Sequence, residues 1–394
     1  MMNILFLTGC SIFPPNAGGR LACFNRVKAL STKHSVHVFS TIKQSEYDEM
    51  ISYKWSNVCE SLDYVIRKDT LGVFIKSIIL PYSVISRISK GFREKLNNLI
   101  ERYAIDMIIY EGPGLAFYYK DIKIKQIIDS HNLEFDLFYR QGKNQKNILK
   151  KILFFHEYLT MKNYEKKVYQ SKQIDGMTFI SDTDMNNYVN TFNLKNNMVY
   201  IPQGIEKKKI NNKGEKENIV SFISSMDYFP NIEGALWLIR DVLPHVVKIM
   251  PDIKLYIVGK NPDLSIINTS KNNDNVIITG TVDDVAPYYY QSSLVLIPIF
   301  SGSGVKIKLI EAASFNKIII STNFGTIGSS FSKNEVIIED NALLFANKII
   351  DVLKDKKKYE SLRDKAYLKY LNDYCIDSVS ERYLNFIEYI ADAV

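Results

Sequence analysis

A chain of 394 residues exceeds what one hydrophobic core usually holds, so at least two domains are expected. Apolar residues at 46% and charged residues at 24% exclude a disordered or collagen-like polymer. Lys and Arg number 50 against 43 Asp and Glu, a net +7 that suits phosphate-bearing ligands or an anionic membrane face and does not by itself imply nucleic acid.

In chain order, Asn3–Thr8 reads as a strand, followed by the Pro/Gly loop Pro14–Gly19 and a helix over 20–33. Further apolar runs at 36–40, 63–66, 106–110, 126–129 and 176–180 predict strands. Near-continuous apolar strands separated by helices signal a parallel sheet covered on both faces. The pattern restarts beyond Ile201-Pro202-Gln203-Gly204, after a polar, Lys-rich stretch at 206–217. Strands are expected at 218–223, 254–258, 275–279, 293–297, 317–321 and 335–338. Between the first two of these, Leu236, Ile239, Leu243 and Val247 predict a helix core face, and 357–393 reads as two closing helices.

Cys10, Cys23, Cys59 and Cys375 form no CxxC pair and have no His at ligand spacing, which argues against a disulfide scaffold or zinc site and for a reducing cytoplasm. Leu7-Thr8-Gly9-Cys10 spells a lipobox, yet no Lys or Arg precedes it and its apolar stretch falls short of the roughly 7–15 residues a signal needs. Val285–Val305 carries no charge, but its prolines and glycines mark a helix end, a buried strand and a loop rather than a membrane span. A soluble protein is expected. Segment 143–172 holds eight lysines interleaved with Ile152, Leu153, Phe154, Phe155, Leu159 and Met161. It reads either as one solvated helix face or as a basic amphipathic surface for anionic lipid.

The densest constellation is Gly302-Ser303-Gly304-Val305-Lys306-Ile307-Lys308-Leu309-Ile310-Glu311, where a buried strand runs into a glycine loop that opens a helix. Glycines let backbone N–H groups approach a ligand, a helix start favours anions, and Lys306 and Lys308 add full charges. Glu311 offers two oxygens to the paired hydroxyls of a ribose, so the set suits a nucleotide at a sheet edge. A glycine turn with lysines on a wet face is the plainer reading. Pro14–Arg20 lacks the GxGxxG order of a dinucleotide site, though Gly18 and Gly19 could bring amides to a diphosphate or an acceptor. His131, after a strand, could hydrogen-bond a sugar hydroxyl or a developing charge, and Glu111 ends a neighbouring strand as a candidate acceptor contact. Asp182-Thr183-Asp184 looks like a metal-holding DxD triplet, but Ser181 before a helical run makes it capping chemistry, and no metal site is expected.

Together these residues resemble the family 4 glycosyltransferases, retaining enzymes with two Rossmann-like lobes facing a central cleft (the GT-B fold). The resemblance runs from the Pro14–Arg20 loop through Ser130-His131-Asn132-Leu133-Glu134 and Ile201-Pro202-Gln203-Gly204-Ile205 to the Gly302–Ala312 signature, with Ser225-Met226-Asp227-Tyr228-Phe229-Pro230-Asn231 similar to a bacterial exopolysaccharide and capsule subgroup. It implies an acceptor-side domain over 1–201, a nucleotide-sugar domain over 202–374, and a C-terminal helix over 375–394 crossing back to the first. Glu311 matches the ribose-gripping second acid of the E-x7-E motif, and Val282 would meet the base. Ser303 stands where the first acid belongs, and Met226, Asp227 and Tyr228 occupy the region of a diphosphate-binding Arg and Lys. Lys306 and Lys308, with Lys260 more distant, are the natural substitutes.

The expected activity is retaining transfer of a sugar from a nucleotide-diphosphate donor to a glycan or lipid-linked acceptor in surface polysaccharide biosynthesis. His131 would act in catalysis at the sugar, and Gly18, Gly19, Val282, Gly302, Ser303, Gly304, Lys306, Lys308 and Glu311 would bind the sugar donor. Glu111 would contact the acceptor. No metal or cofactor is expected, no nucleic acid is implied, and the location is cytoplasmic, peripheral at the inner membrane face through 143–172. A nucleotide-sugar epimerase of the same fold and a non-catalytic paralogue are the alternatives.

Overall fold

The computed structural model describes residues 1–15, 18–67, 76–88, 91–210, 214–302 and 305–393. They form two units, Met1–Gly204 with Val379–Val394, and Ile205–Ser378. Each is an α/β unit built on one parallel sheet.

The first sheet has seven strands: β1 Asn3–Thr8, β2 Ser35–Ile42, β3 Ser61–Ile66, β4 Met107–Glu111, β5 Lys125–Ser130, β6 Gly176–Phe179 and β7 Asn197–Tyr200, in the order β3-β2-β1-β4-β5-β6-β7. Side chains alternate between its two faces. Leu5, Leu7, Ile108 and Tyr110 enter one core, which also takes Leu96 and Leu99 of helix Phe92–Arg102 and Met161 and Val168 of helix Ile148–Tyr169. Ile4, Phe6, Met107 and Ile109 enter the opposite core with Cys23 and Val27 of helix Gly18–Leu30 and Tyr383 and Ile387 of helix Ile376–Asp392. Both faces are covered, which is why these strands read as unbroken apolar runs.

The terminal helix sits close against β6. A Cβ on Gly176 would come within 2.9 Å of Ile390 and 3.0 Å of Phe386, so only glycine admits this approach. Arg26 reinforces the same side. Its guanidinium lies 3.4 Å from Asp129 Oδ2, donates to the Ile201 carbonyl at 2.6 Å and covers the Tyr383 ring at 4.4 Å.

The second sheet contains β8 Lys216–Ile223, β9 Lys254–Val258, β10 Val276–Gly280, β11 Ser292–Ile297, β12 Ile319–Ser321 and β13 Ile337–Ile338, in the order β10-β9-β8-β11-β12-β13. The chain enters and leaves this unit side by side: Ile205 N–H donates to the Tyr374 carbonyl at 2.9 Å, and Ile376 N–H donates to the Ile205 carbonyl at 3.0 Å.

Two details depart from the sequence expectation. The edge strand β7 is additional. The helix carrying Leu236, Ile239, Leu243 and Val247 packs all four on the core as expected, but it is built of Phe229–Trp237, a π turn at Leu238–Val242 and Leu243–Val247. It buries Leu238, Ile239, Val242, Leu243 and Val246. Pro244 supplies the reason, since it has no N–H and its ring would strike the carbonyl four residues back, and the wider turn relieves both. The uncharged stretch 285–305 becomes helix Ala286–Gln291, strand β11 and a loop. No helix among the described residues is long and apolar enough to cross a membrane.

Asp129 is fully buried, and burial alone would raise its pKa; Arg26, His131 and Thr178 outweigh this and hold it at about 2. The folded value lies below the ordinary one, so the stabilisation it brings is present above about pH 4 and is lost as pH falls through about 2. Asp129→Asn leaves Arg26 buried without its carboxylate and should lower stability by about 3–5 kcal/mol, read by urea unfolding at neutral pH.

Candidate functional site

In unit 2 the strand order reverses between β8 and β11, and loops diverge there to leave a crevice at the carboxyl edge. A pocket of about 510 Å³ occupies this position. Ser224, Ser225 and Tyr228 line it from the loop after β8, Gly259 and Lys260 from that after β9, Thr281 and Val282 from that after β10, and Lys306, Lys308 and Glu311 from the segment after β11. The sequence thus brings together Val282, Lys306, Lys308, Glu311 and the more distant Lys260. Gly259 is required for this closure: its φ is +148°, and a Cβ would fall 1.6 Å from the Ser224 carbonyl oxygen.

Helix Ile307–Ser314 begins later than the glycine loop suggests. Gly302, at φ +103°, lies five residues before it and packs against Tyr228 and Pro230 rather than lining the pocket. Ser303 and Gly304 lie outside the described residues. The lysines at the helix start are therefore the cationic groups that face the pocket there.

Lys306 is buried, with its amine 5.1 Å from the centre of the Phe324 ring. Lys308 lies over Phe222 and donates to Asn231 Oδ1 at 2.5 Å. Burial, and then the charge of Lys306, push the Lys308 amine down to about 8. Asn231 is itself buried, and its Nδ2 donates to the Ser225 carbonyl at 2.6 Å, so one side chain holds the lysine and the loop after β8 together. Glu311 Oε2 accepts from the Tyr289 hydroxyl at 3.3 Å, and burial raises the carboxyl pKa against that bond and Lys208. Tyr289 is fixed by stacking on Phe315, 4.3 Å between centroids and 11° between planes. Asp227 stands where a basic residue was sought, but its carboxylate accepts from Ser225 and Asn261 and does not line the pocket.

Sequence reading did not assign Asn231 or Tyr289 a role. Asn231 follows a first-turn proline, the only local signal, and its partner is 77 residues away.

Unit 1 has its own reversal, between β1 and β4. Glu111 ends β4 and accepts from the Gly9 N–H at 2.8 Å. His131 Nε2 lies 3.5 Å from Asp129, and Nδ1 lies 3.8 Å from Glu111, beyond hydrogen-bond reach. Burial would lower the imidazole pKa, but Asp129 and Glu111 prevail and raise it. Cys23, Glu111 and His131 bring ligand-type atoms within 4.8 Å of one another. Burial pushes the Cys23 thiol well up. Gly18 and Gly19 open helix Gly18–Leu30 in this unit and do not line the unit 2 pocket. The Asp182-Thr183-Asp184 triplet is capping chemistry, with Ser181 Oγ accepting from the Asp184 N–H at 3.1 Å.

Asn231→Asp places a carboxylate against the Lys308 amine and should move its titration upward from about 8 by at least one pH unit, read by NMR of reductively methylated lysines.

Residues 217–355 match the family described as glycosyl transferases, group 1. An uncharacterized 44.6 kDa protein of the cps region of Klebsiella pneumoniae is 28% identical over 370 residues, covering 90% of this chain and 92% of its own. A glycosyltransferase from Rickettsia africae superimposes with a TM-score of 0.66 at 12% identity over 100% of both chains. HepE of Anabaena, solved in complex with UDP, does so with a TM-score of 0.66 at 10% identity over 98% of this chain and 100% of its own. The two parallel-sheet units are of the GT-B kind, and the match to the group 1 glycosyl transferases falls within the unit that holds the lysine pocket.

Proposed function

We propose that the protein transfers a sugar from a nucleotide-diphosphate donor to a glycan or lipid-linked acceptor, with retention of anomeric configuration, during surface polysaccharide biosynthesis. The observation that carries this reading is the convergence of Lys306, Lys308 and a tyrosine-held Glu311 in one pocket at the switch point of the second sheet. HepE, of the same fold, holds UDP and UDP-glucose in its own structures, and the cps-region relative supports the polysaccharide setting.

In this reading Glu311 accepts from the ribose hydroxyls, while Val282 and its neighbours Val258 and Val285 take the flat face of the base. Lys306 and Lys308 face the diphosphate. Negative charge grows on the leaving diphosphate as the glycosidic bond breaks, and preplaced cations in a dry pocket stabilise that growth without a resident metal. His131 in its cationic form would present Nδ1–H to the transferred sugar, and Glu111 would contact the acceptor. The work would be done in the cytoplasm, at the inner face of the membrane.

Glu311→Ala removes a charged hydrogen-bond acceptor and should weaken UDP binding and raise the donor KM about 10–100-fold. Unchanged turnover over a panel of nucleotide sugars would remove Glu311 from the site. Conversion of the donor without any acceptor would mark an epimerase instead.

A diphosphate should raise the Lys308 pKa on binding, so nucleotide binding takes up a proton wherever the free amine is neutral. Affinity should be full below about pH 8 and fall as pH rises through that value, by up to about tenfold per pH unit. Calorimetry with UDP in buffers of different ionisation enthalpy measures both, and Lys308→Arg should flatten the profile.

A further inference from the structure

Helix Ile148–Tyr169 is divided in two. Its second half is core, with Met161, Tyr164, Val168 and Tyr169 buried. Its first half turns apolar side chains outward. Ile148, Leu149, Ile152 and Leu153, at helical spacings of one and four, are each 60–72% exposed. Ile78 and Ile79, on a neighbouring loop, are 68% and 81% exposed. That loop is tied to the helix: Glu157 accepts the N–H groups of Tyr82 and Ser83 at 2.8 Å each, and the His156 ring bonds the Ile78 carbonyl at 3.1 Å. Between loop and helix runs a groove of about 520 Å³, walled by Tyr82, Phe138, Leu153 and Phe154 with Lys150 at its side. A contiguous apolar surface of this kind marks an interaction site.

Charge selects the occupant. Residues 137–156 contain Arg140, Lys143, Lys146, Lys150 and Lys151 and no Asp or Glu. Arg140 pairs with Asp136, whereas no ion pair to the four lysines is found among the described residues. The one acid in the groove wall, Glu157, is committed to two backbone amides. A second copy of this chain, related by a two-fold axis, would set this basic surface against itself. A bilayer with anionic headgroups answers both features, hydrocarbon for the isoleucines and leucines and phosphate for the lysines.

We propose that the outward half of helix Ile148–Tyr169, with Ile78, Ile79 and the groove between them, is the surface by which this protein sits on an anionic lipid bilayer, the groove receiving lipid hydrocarbon. This rests on the reading of the acceptor as lipid-linked and names where such an acceptor is met.

The test is flotation of the full chain with phosphatidylglycerol–phosphatidylcholine vesicles, and with phosphatidylcholine alone, across a salt series. Binding should need the anionic lipid and weaken with salt. Lys150→Ala with Lys151→Ala should reduce partitioning roughly 25-fold, taking about fivefold per lysine near the surface. Ile152→Ser with Leu153→Ser should reduce it as well. Both pairs are exposed, and an unchanged urea-unfolding profile confirms that they leave the fold intact. Equal, salt-independent uptake by neutral vesicles, absence of binding, or variants that bind like the parent would overturn the proposal. So would a self-association that Ile152→Ser with Leu153→Ser abolishes. Failure of UDP to bind the parent, with vesicle binding intact, would count against the donor pocket and not against this surface.

Discussion

Two amines packed into one small, largely dry pocket disfavour each other's charge. Lys308 shows the result, held down at about 8 by burial and by Lys306, with an amide oxygen rather than a carboxylate at its tip. An anion beside such a pair would favour the charged form of Lys308. Gly259 draws the ends of β8 and β9 together, Asn231 braces Lys308 against the loop after β8, and Tyr289 steadies Glu311 from beneath. The carboxyl edge of the second sheet supplies the place at which these parts meet.

The first unit solves the opposite problem. Its polar edge gathers Glu111 and Asp129 around the His131 ring, with Arg26 behind Asp129. Asp129 serves two masters, since the same carboxylate neutralises Arg26 in the core and raises the pKa of His131 at the surface. Structural and chemical demands on that residue cannot be separated by substitution at Asp129 alone, whereas Glu111, which meets Gly9, Cys23 and His131 and not Arg26, offers the cleaner handle.

Most strands were legible because both faces of each sheet are covered, which turns them into apolar runs. β7 was not, since Asn197 is exposed and Met198–Tyr200 are only half-buried at the sheet's edge. The core face Leu236, Ile239, Leu243 and Val247 was legible, but the π turn that Pro244 forces within that helix was not, since periodicity does not carry it. In the site, Lys306, Lys308 and Glu311 were legible as a local cluster near a glycine loop. Asn231 and Tyr289 were hidden because their partners lie 77 and 22 residues away, and pairings across a fold leave no spacing to read. The loop itself misled in one respect, suggesting a helix tip at Gly302 when the first turn begins at Ile307.

The second unit is one uninterrupted stretch, Ile205–Ser378, while the first needs Val379–Val394 to cover one face of its sheet. During synthesis the later unit can therefore mature while the earlier one still exposes the apolar flank that Tyr383, Ile387 and Ile390 will cover. A nascent chain of this architecture carries an unfinished amino-terminal half until the helix Ile376–Asp392 has emerged from the ribosome, an interval in which that flank is open to misassembly.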